Sequence, residues 1–251
     1  MLMARKKVVF IIVEGPTDEL ALGSLYDELF DEQTVFVEVM HCDILTDYLN
    51  NSKSFHEQRS PNIKNELTKI VKSYADNNSL KKEHFLQVIH ICDTDGCFVS
   101  DENDVKEDTN ISDIIYSTTE IRCPNKDNLL KYRKLKRENI EKLIGTNKIW
   151  STIPYKLYFM SSSLDHVLYD KLNTKDDEKK ENAMAFMKKY ENNWDECIKF
   201  LSESDFVVKG NYYETWDYIK NDKHSLERNT NINLSFPENN NNNDDEEEPI
   251  L

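Results

Sequence analysis

Turn-forming residues are scarce in this chain. It has 5 glycines and 6 prolines in 251 residues, too few for a turn-rich all-β fold, whose tight hairpins draw on glycine. Its five cysteines, Cys42, Cys92, Cys97, Cys123 and Cys197, include no Cys-x-x-Cys pair. Zinc ribbons and thioredoxin-type redox pairs need that spacing. Cys92 and Cys97 read instead as strand and loop packing, and the odd count suits a reducing compartment. No apolar run approaches the ~18 residues of a membrane span, and no leader is visible at the start. The expected location is cytoplasmic, with no membrane partner. No Gly-Lys-Ser/Thr phosphate loop occurs, which leaves no P-loop ATPase in these residues. No repeat recurs at a fixed period. Positive charge is short as well: 32 Lys and Arg stand against 47 Asp and Glu, for a net charge of −15 and a pI of about 4.9. That balance weighs against a wholly nucleic-acid-binding surface, because phosphates need basic partners.

Much of the excess acid sits at one end. Asn239 to Asn243 is an asparagine run, and Asp244, Asp245, Glu246, Glu247 and Glu248 follow it. Such a segment buries too little to offset the entropy of ordering. Residues 232–251 are therefore expected to form a disordered acidic tail, either a solvated solubility tail or a nucleic-acid mimic that competes for a basic patch.

What remains is ample for a core, with 38% hydrophobic residues. Lys7 to Val13 reads as a buried strand, nearly continuous in Val, Ile and Phe. Gly15-Pro16 ends it, and Pro16 opens a helix over about 17–30, with Leu22, Leu25, Tyr26 and Leu29 on one stripe. Thr34 to His41 reads as a second strand, Ile63 to Tyr74 as a second helix, and Phe85 to Cys92 as a third strand. This alternation predicts an α/β fold, a mostly parallel sheet flanked by helices. Residues 100–110 read as loop, Ile114 to Arg122 as a short strand, Leu129 to Ile144 as a helix and Lys156 to Met160 as a strand. Leu164 to Arg228 is helical in pattern, with a break near Ser204 to Asn211. The expected organisation is a core over 1–170, a helical lobe over 171–231, and the tail.

Two acidic motifs stand where buried strands should stop. Val13-Glu14-Gly15-Pro16-Thr17-Asp18 ends the first, and Asp93-Thr94-Asp95-Gly96 ends the third. Ligands of parallel sheets bind at the carboxyl ends of strands. Glu14, Asp93 and Asp95 are thus expected at one sheet edge, where clustered carboxylates call for a hard cation such as Mg²⁺. Gly15, lacking a Cβ, would let backbone approach a phosphate.

This pair of motifs resembles the TOPRIM domain, the metal-dependent catalytic module of primases, topoisomerases and several nuclease families. Glu14, Gly15 and Asp18 match its Glu-Gly-x-x-Asp element, and Asp93 and Asp95 match its Asp-x-Asp. The likeness covers roughly residues 7 to 170. It implies a TOPRIM core in which Asp93 and Asp95 hold Mg²⁺ or Mn²⁺ and Glu14 transfers a proton or adds a metal ligand. Asp18 either orients a metal-bound water or simply favours the helix N-terminus. A third element, Tyr158 to His166, is a strand, a serine turn and a helix start. In OLD-type and RloB-like TOPRIM nucleases a comparable strand is followed by a glutamate; here Asp165 stands there, as a further ligand or as part of a cap led by Ser162 or Ser163. His166 reads as structural or as a phosphate contact. Lys209 matches the context of a lysine in RloB-like proteins, which implies that it reaches the scissile phosphate, and reads otherwise as a surface lysine.

Seven basic residues fall within seventeen positions: Lys126, Lys131, Arg133, Lys134, Lys136, Arg137 and Lys142. With Tyr132 as a stacking surface, this helix is the expected nucleic-acid docking face. The other reading is a solvated face paired with Glu138 and Glu141. The chain is short for a topoisomerase, lacks the zinc ribbon of primases, and is longer and less basic than 5S ribosomal RNA maturases. The resemblance then implies a stand-alone metal-dependent nuclease on DNA or RNA, of the phage-defence or abortive-infection kind. Such proteins are often encoded beside a separate ATPase partner, and a homodimer is a further expectation. The competing reading is a non-catalytic TOPRIM-like module that binds nucleotide or a partner.

Overall fold

The computed structural model of the chain describes residues 6–30, 34–46 and 62–237. The asparagine run and acidic cluster of the expected tail lie outside them. Strand β1 (Lys7–Val13) is buried from Val8 to Val13, as a central strand covered on both faces must be. Each of its fully buried side chains contributes about 1.5–3 kcal/mol by leaving water. Helix α1 (Pro16–Leu29) follows, then β2 (Val35–His41), α2 (Ile63–Asn77) and β3 (Phe85–Asp93). A small insert comes next, with β4 (Val105–Glu107), β5 (Ile115–Tyr116) and β6 (Ile121–Cys123). Helix α3 (Lys126–Ile144), β7 (Lys148–Ile149) and β8 (Ile153–Met160) complete the sheet. The remaining helices are α4 (Leu164–Tyr169), α5 (Asp176–Tyr190), α6 (Trp194–Glu203) and α7 (Tyr212–Lys220).

The main sheet runs β2-β1-β3-β8-β7. β2, β1, β3 and β8 are parallel, and β7 pairs antiparallel at the edge. The fold is thus α/β with a mixed sheet flanked by helices, as the alternation of elements predicted. From β1 the chain steps outward to β2; from β3 it steps the other way, to β8. The point where the order reverses lies between β1 and β3. Connections leave the two strands in opposite directions there and open a crevice at their carboxyl ends. Glu14 and Asp93 stand on its two sides.

Two differences from the sequence reading bear on the site. Residues 100–123 are not a loop and one strand but a three-stranded sheet, β4-β6-β5, with its own core of Val99, Val105, Ile121, Cys123, Leu129 and Leu226. Strands of two or three residues are too short to show a period. Residues 232–236 are not tail: Ile232 and Phe236 are buried in the main core, and Tyr26 Oη lies 2.6 Å from Ser235 Oγ. The C-terminal helices share that core, since α1 packs against α5 and α6.

Candidate active site

Four strands deliver polar residues to one edge. Asp43 follows β2, Glu14 follows β1, Asp93 ends β3 and leads to Asp95, and Ser161 to Asp165 follow β8. The loop after β3 is tightly held. Thr94 N donates to Met160 O at 3.0 Å, and Asp95 N to Ser162 O at 2.9 Å. Ser162 N reaches Thr94 Oγ1 at 2.9 Å, while Thr94 Oγ1 donates to Ser225 O at 3.0 Å. Asp95 and Gly96 both take left-handed backbone, with φ of 47° and 58°. Aspartate tolerates that region better than most residues. A Cβ on Gly96 would lie 2.4 Å from Leu226 Cδ2, so glycine is required there by both φ and space.

Around these backbones the side chains converge on one ammonium. Lys136, from the middle of α3, is buried. Its Nζ lies 3.0 Å from Glu14 Oε1 and 3.2 Å from Oε2, and it also donates to Asp95 Oδ2. Asp93 points elsewhere, its Oδ1 accepting from Leu164 N at 2.8 Å. Burial disfavours the Lys136 ammonium, but Asp95, Glu14, Asp43 and Asp93 outweigh it and hold its pKa above the ordinary value. One cation does not offset this many carboxylates. Burial pushes Glu14 up to about 8, with Lys136 opposing and Asp95 and Asp43 adding to the rise. Burial raises Asp93 as well, assisted by Glu14, Asp18 and Asp95.

A second acidic pair flanks Asp93. Asp18 Oδ2 accepts from Gly15 N at 2.9 Å, so it does serve the start of α1. Burial also lifts its pKa to about 6, and the charge of Asp165 adds to that. Asp165 is buried beside the Ser163 cap of α4, and its carboxyl has Asn182 and Thr174 beside it, with no well-directed hydrogen bond at Oδ1. Gly15 itself is extended, with φ −127° and ψ 165°. A Cβ there would meet only the Asp18 carboxyl, 3.6 Å away at its nearest atom, so the fold itself does not demand glycine.

The structure thus gathers Glu14, Asp93 and Asp95, with Asp18 and Asp165 beside them. It does not bring in Lys209, which is exposed and donates to Ser202 O at 2.9 Å at the end of α6. Nor is the basic helix a uniform docking face. Arg133 is buried and donates to Asp101 Oδ1, Gly96 O and Val99 O at 2.9, 2.7 and 2.8 Å. Arg137 reaches the same Asp101 at 2.9 Å. These arginines brace the loop that carries Asp95; Lys131, Lys134 and Lys142 are the exposed members of the seven. His166 is buried, and burial lowers its pKa. Sequence reasoning put Lys136 on the wrong side of its helix and missed Asp43. The signals were present: Asp43 follows a strand end, and Lys136 shares a helical stripe with Arg133 and the buried Ile140.

Among the described residues, no group of three or more His, Cys, Asp or Glu side chains stands ready as a coordination shell. The donor chemistry still fits a hard divalent cation, since every ligand candidate is an oxygen. Glu14 Oε1 is buried without a well-directed hydrogen bond, and one ammonium, Lys136, stands among several carboxyl groups that burial and mutual repulsion raise. Comparison with profiles of protein families, with curated proteins and with solved structures returns no significant match.

Proposed function

We propose that the chain is a divalent-metal-dependent phosphodiesterase acting on nucleic acid, built on a TOPRIM-type core. The observation that carries this reading is the meeting of Glu14, Asp93 and Asp95 at the crevice between β1 and β3. Asp93 and Asp95 would hold Mg²⁺ or Mn²⁺, with Glu14 and Asp165 as further oxygen donors. When bound, such an ion polarises the phosphate and activates water. In the metal-free site burial raises the Glu14 pKa to about 8, so this carboxyl takes up a proton readily and is placed for proton transfer at a leaving oxygen. Lys136 supplies the positive charge that a phosphate or its developing oxyanion needs, the part that sequence reasoning gave to Lys209. The resemblance extends the proposal to a phage-defence effector, with a separately encoded ATPase and a homodimer as its expected setting.

One observation favours a second reading. The ion pairs of Lys136 with Glu14 and Asp95 neutralise part of the cluster without any metal, as a non-catalytic nucleotide- or partner-binding module would need. Labelled single- and double-stranded DNA and RNA, incubated with Mg²⁺ or Mn²⁺, separate the two. Cleavage that stops in excess chelator and drops by at least 10²-fold in Asp93→Asn and Glu14→Gln supports the enzyme, in line with what positioned acid–base groups contribute. Cleavage persisting in chelator, or at the parent rate in Asp93→Asn, overturns it.

A further inference from the structure

Beside the carboxylate cluster lies a cavity of about 380 Å³, within the size range of small-ligand sites. Asp95, Arg133 and Lys136 put charge in its lining, and Tyr116, Leu129, Tyr132 and Ile114 supply apolar and aromatic wall. The cavity exists because of the insert: β5 and α3 face each other across it. Its wall is preorganised. β5 pairs with β6, and Asn173 clamps Tyr116 from both sides, accepting from its N–H at 2.7 Å and donating to its C=O at 2.8 Å. Asn125 and Asn128 also line it. Asn125 Oδ1 is taken up by Asn128 N at 2.9 Å, which leaves its amide N–H groups as donors for a polar edge.

We propose that this cavity is a nucleobase pocket, so that the chain takes an unstacked nucleotide of single-stranded nucleic acid, its backbone phosphate lying toward Asp95 and Lys136. Apolar walls with two tyrosines suit the face of a base, amides suit its edge, and the Lys136 ammonium suits the phosphate. A base inside a duplex cannot enter such a pocket without being unstacked. The direction of the phosphate rests on the phosphodiesterase reading; the pocket itself rests on its lining. A predominantly apolar partner is disfavoured by the charged groups in the lining.

The probe is a single-stranded oligonucleotide carrying 2-aminopurine, whose fluorescence is quenched by stacking, titrated in Ca²⁺ alongside the same oligonucleotide in duplex form. The expected result is quenching by the single strand, with the duplex at least tenfold weaker. Tyr132→Ala should weaken single-strand binding by about tenfold or more, and Ile114→Ala should weaken it as well. Both side chains are 38% exposed, so neither change empties the core, and circular dichroism checks each fold. Equal binding of duplex and single strand, or parent-like binding by both variants, overturns the pocket whether or not the protein cleaves. Quenching by a protein that cleaves nothing supports the pocket while removing the enzyme reading.

Discussion

At the scale of single residues, Lys136 decides what the site is without metal. Its ammonium is buried against Glu14 and Asp95. Removing one member of a fully buried pair costs about 3–5 kcal/mol, and less here, because Asp95 is 40% exposed and water can solvate it. Lys136→Met should therefore lower the thermal midpoint of the metal-free protein. Mg²⁺ or Mn²⁺ should then raise that midpoint more in the variant than in the parent, as the ion takes over the neutralising charge. A variant as stable as the parent in chelator would show that the ammonium does not compensate the cluster. Asp18 offers a pH test. Its pKa rises from 3.8 to about 6 on burial, so the folded state holds the proton more tightly than the unfolded chain. Its contribution favours folding below about pH 4 and is lost as pH rises through 6. Asp18→Asn keeps an acceptor for Gly15 N and removes the titration. Denaturant unfolding between pH 4 and 7 should show a flatter profile for the variant.

At the scale of elements, α3 is a brace for the Asp95 loop. Arg133 satisfies Gly96 O and Val99 O and pairs with Asp101. Arg133→Ala should cost about 2–4 kcal/mol, since it strands two buried carbonyls, whereas Lys134→Ala should stay within about 0.5 kcal/mol as a surface change. Equal effects in chemical denaturation would reduce α3 to a solvated helix. The same helix shows what a sequence discloses. The strands ending at Glu14 and Asp93 were legible, because buried parallel strands write continuous apolar runs. The density of basic residues on α3 was legible too. Which way each pointed was not, because Arg133 and Lys136 are turned inward by partners 32 and 41 residues away. The insert β4-β6-β5 escaped for a different reason: its strands are stabilised by a shared small core, which no local pattern announces.

At the scale of the whole molecule, the C-terminal segment belongs to the site rather than to a separate lobe. Ser161 Oγ donates to His224 O at 2.8 Å, and Ser161 N to Asn229 O at 2.8 Å. Thr230 Oγ1 donates to Phe159 O at 2.7 Å, and Asn231 Oδ1 accepts from Phe159 N at 2.8 Å. The residues that follow β8 and carry Asp165 are thus tied to residues 224–231. Two truncations should behave oppositely. Ending the chain after Pro237 removes a segment that is mostly asparagine and acid, a composition that cannot bury a core, and the thermal midpoint should stay nearly unchanged. If the acidic run competes with nucleic acid, that same truncation should raise affinity at low salt and leave it unchanged at high salt. Ending the chain after Arg228 removes Ile232 and Phe236 from the core along with the Thr230 and Asn231 hydrogen bonds. The loss, on the order of 5 kcal/mol or more, matches the whole stability of a typical domain, so this protein should lose cooperative unfolding. A cooperative, parent-like transition in the shorter chain would show that the core stands without its C-terminal clamp.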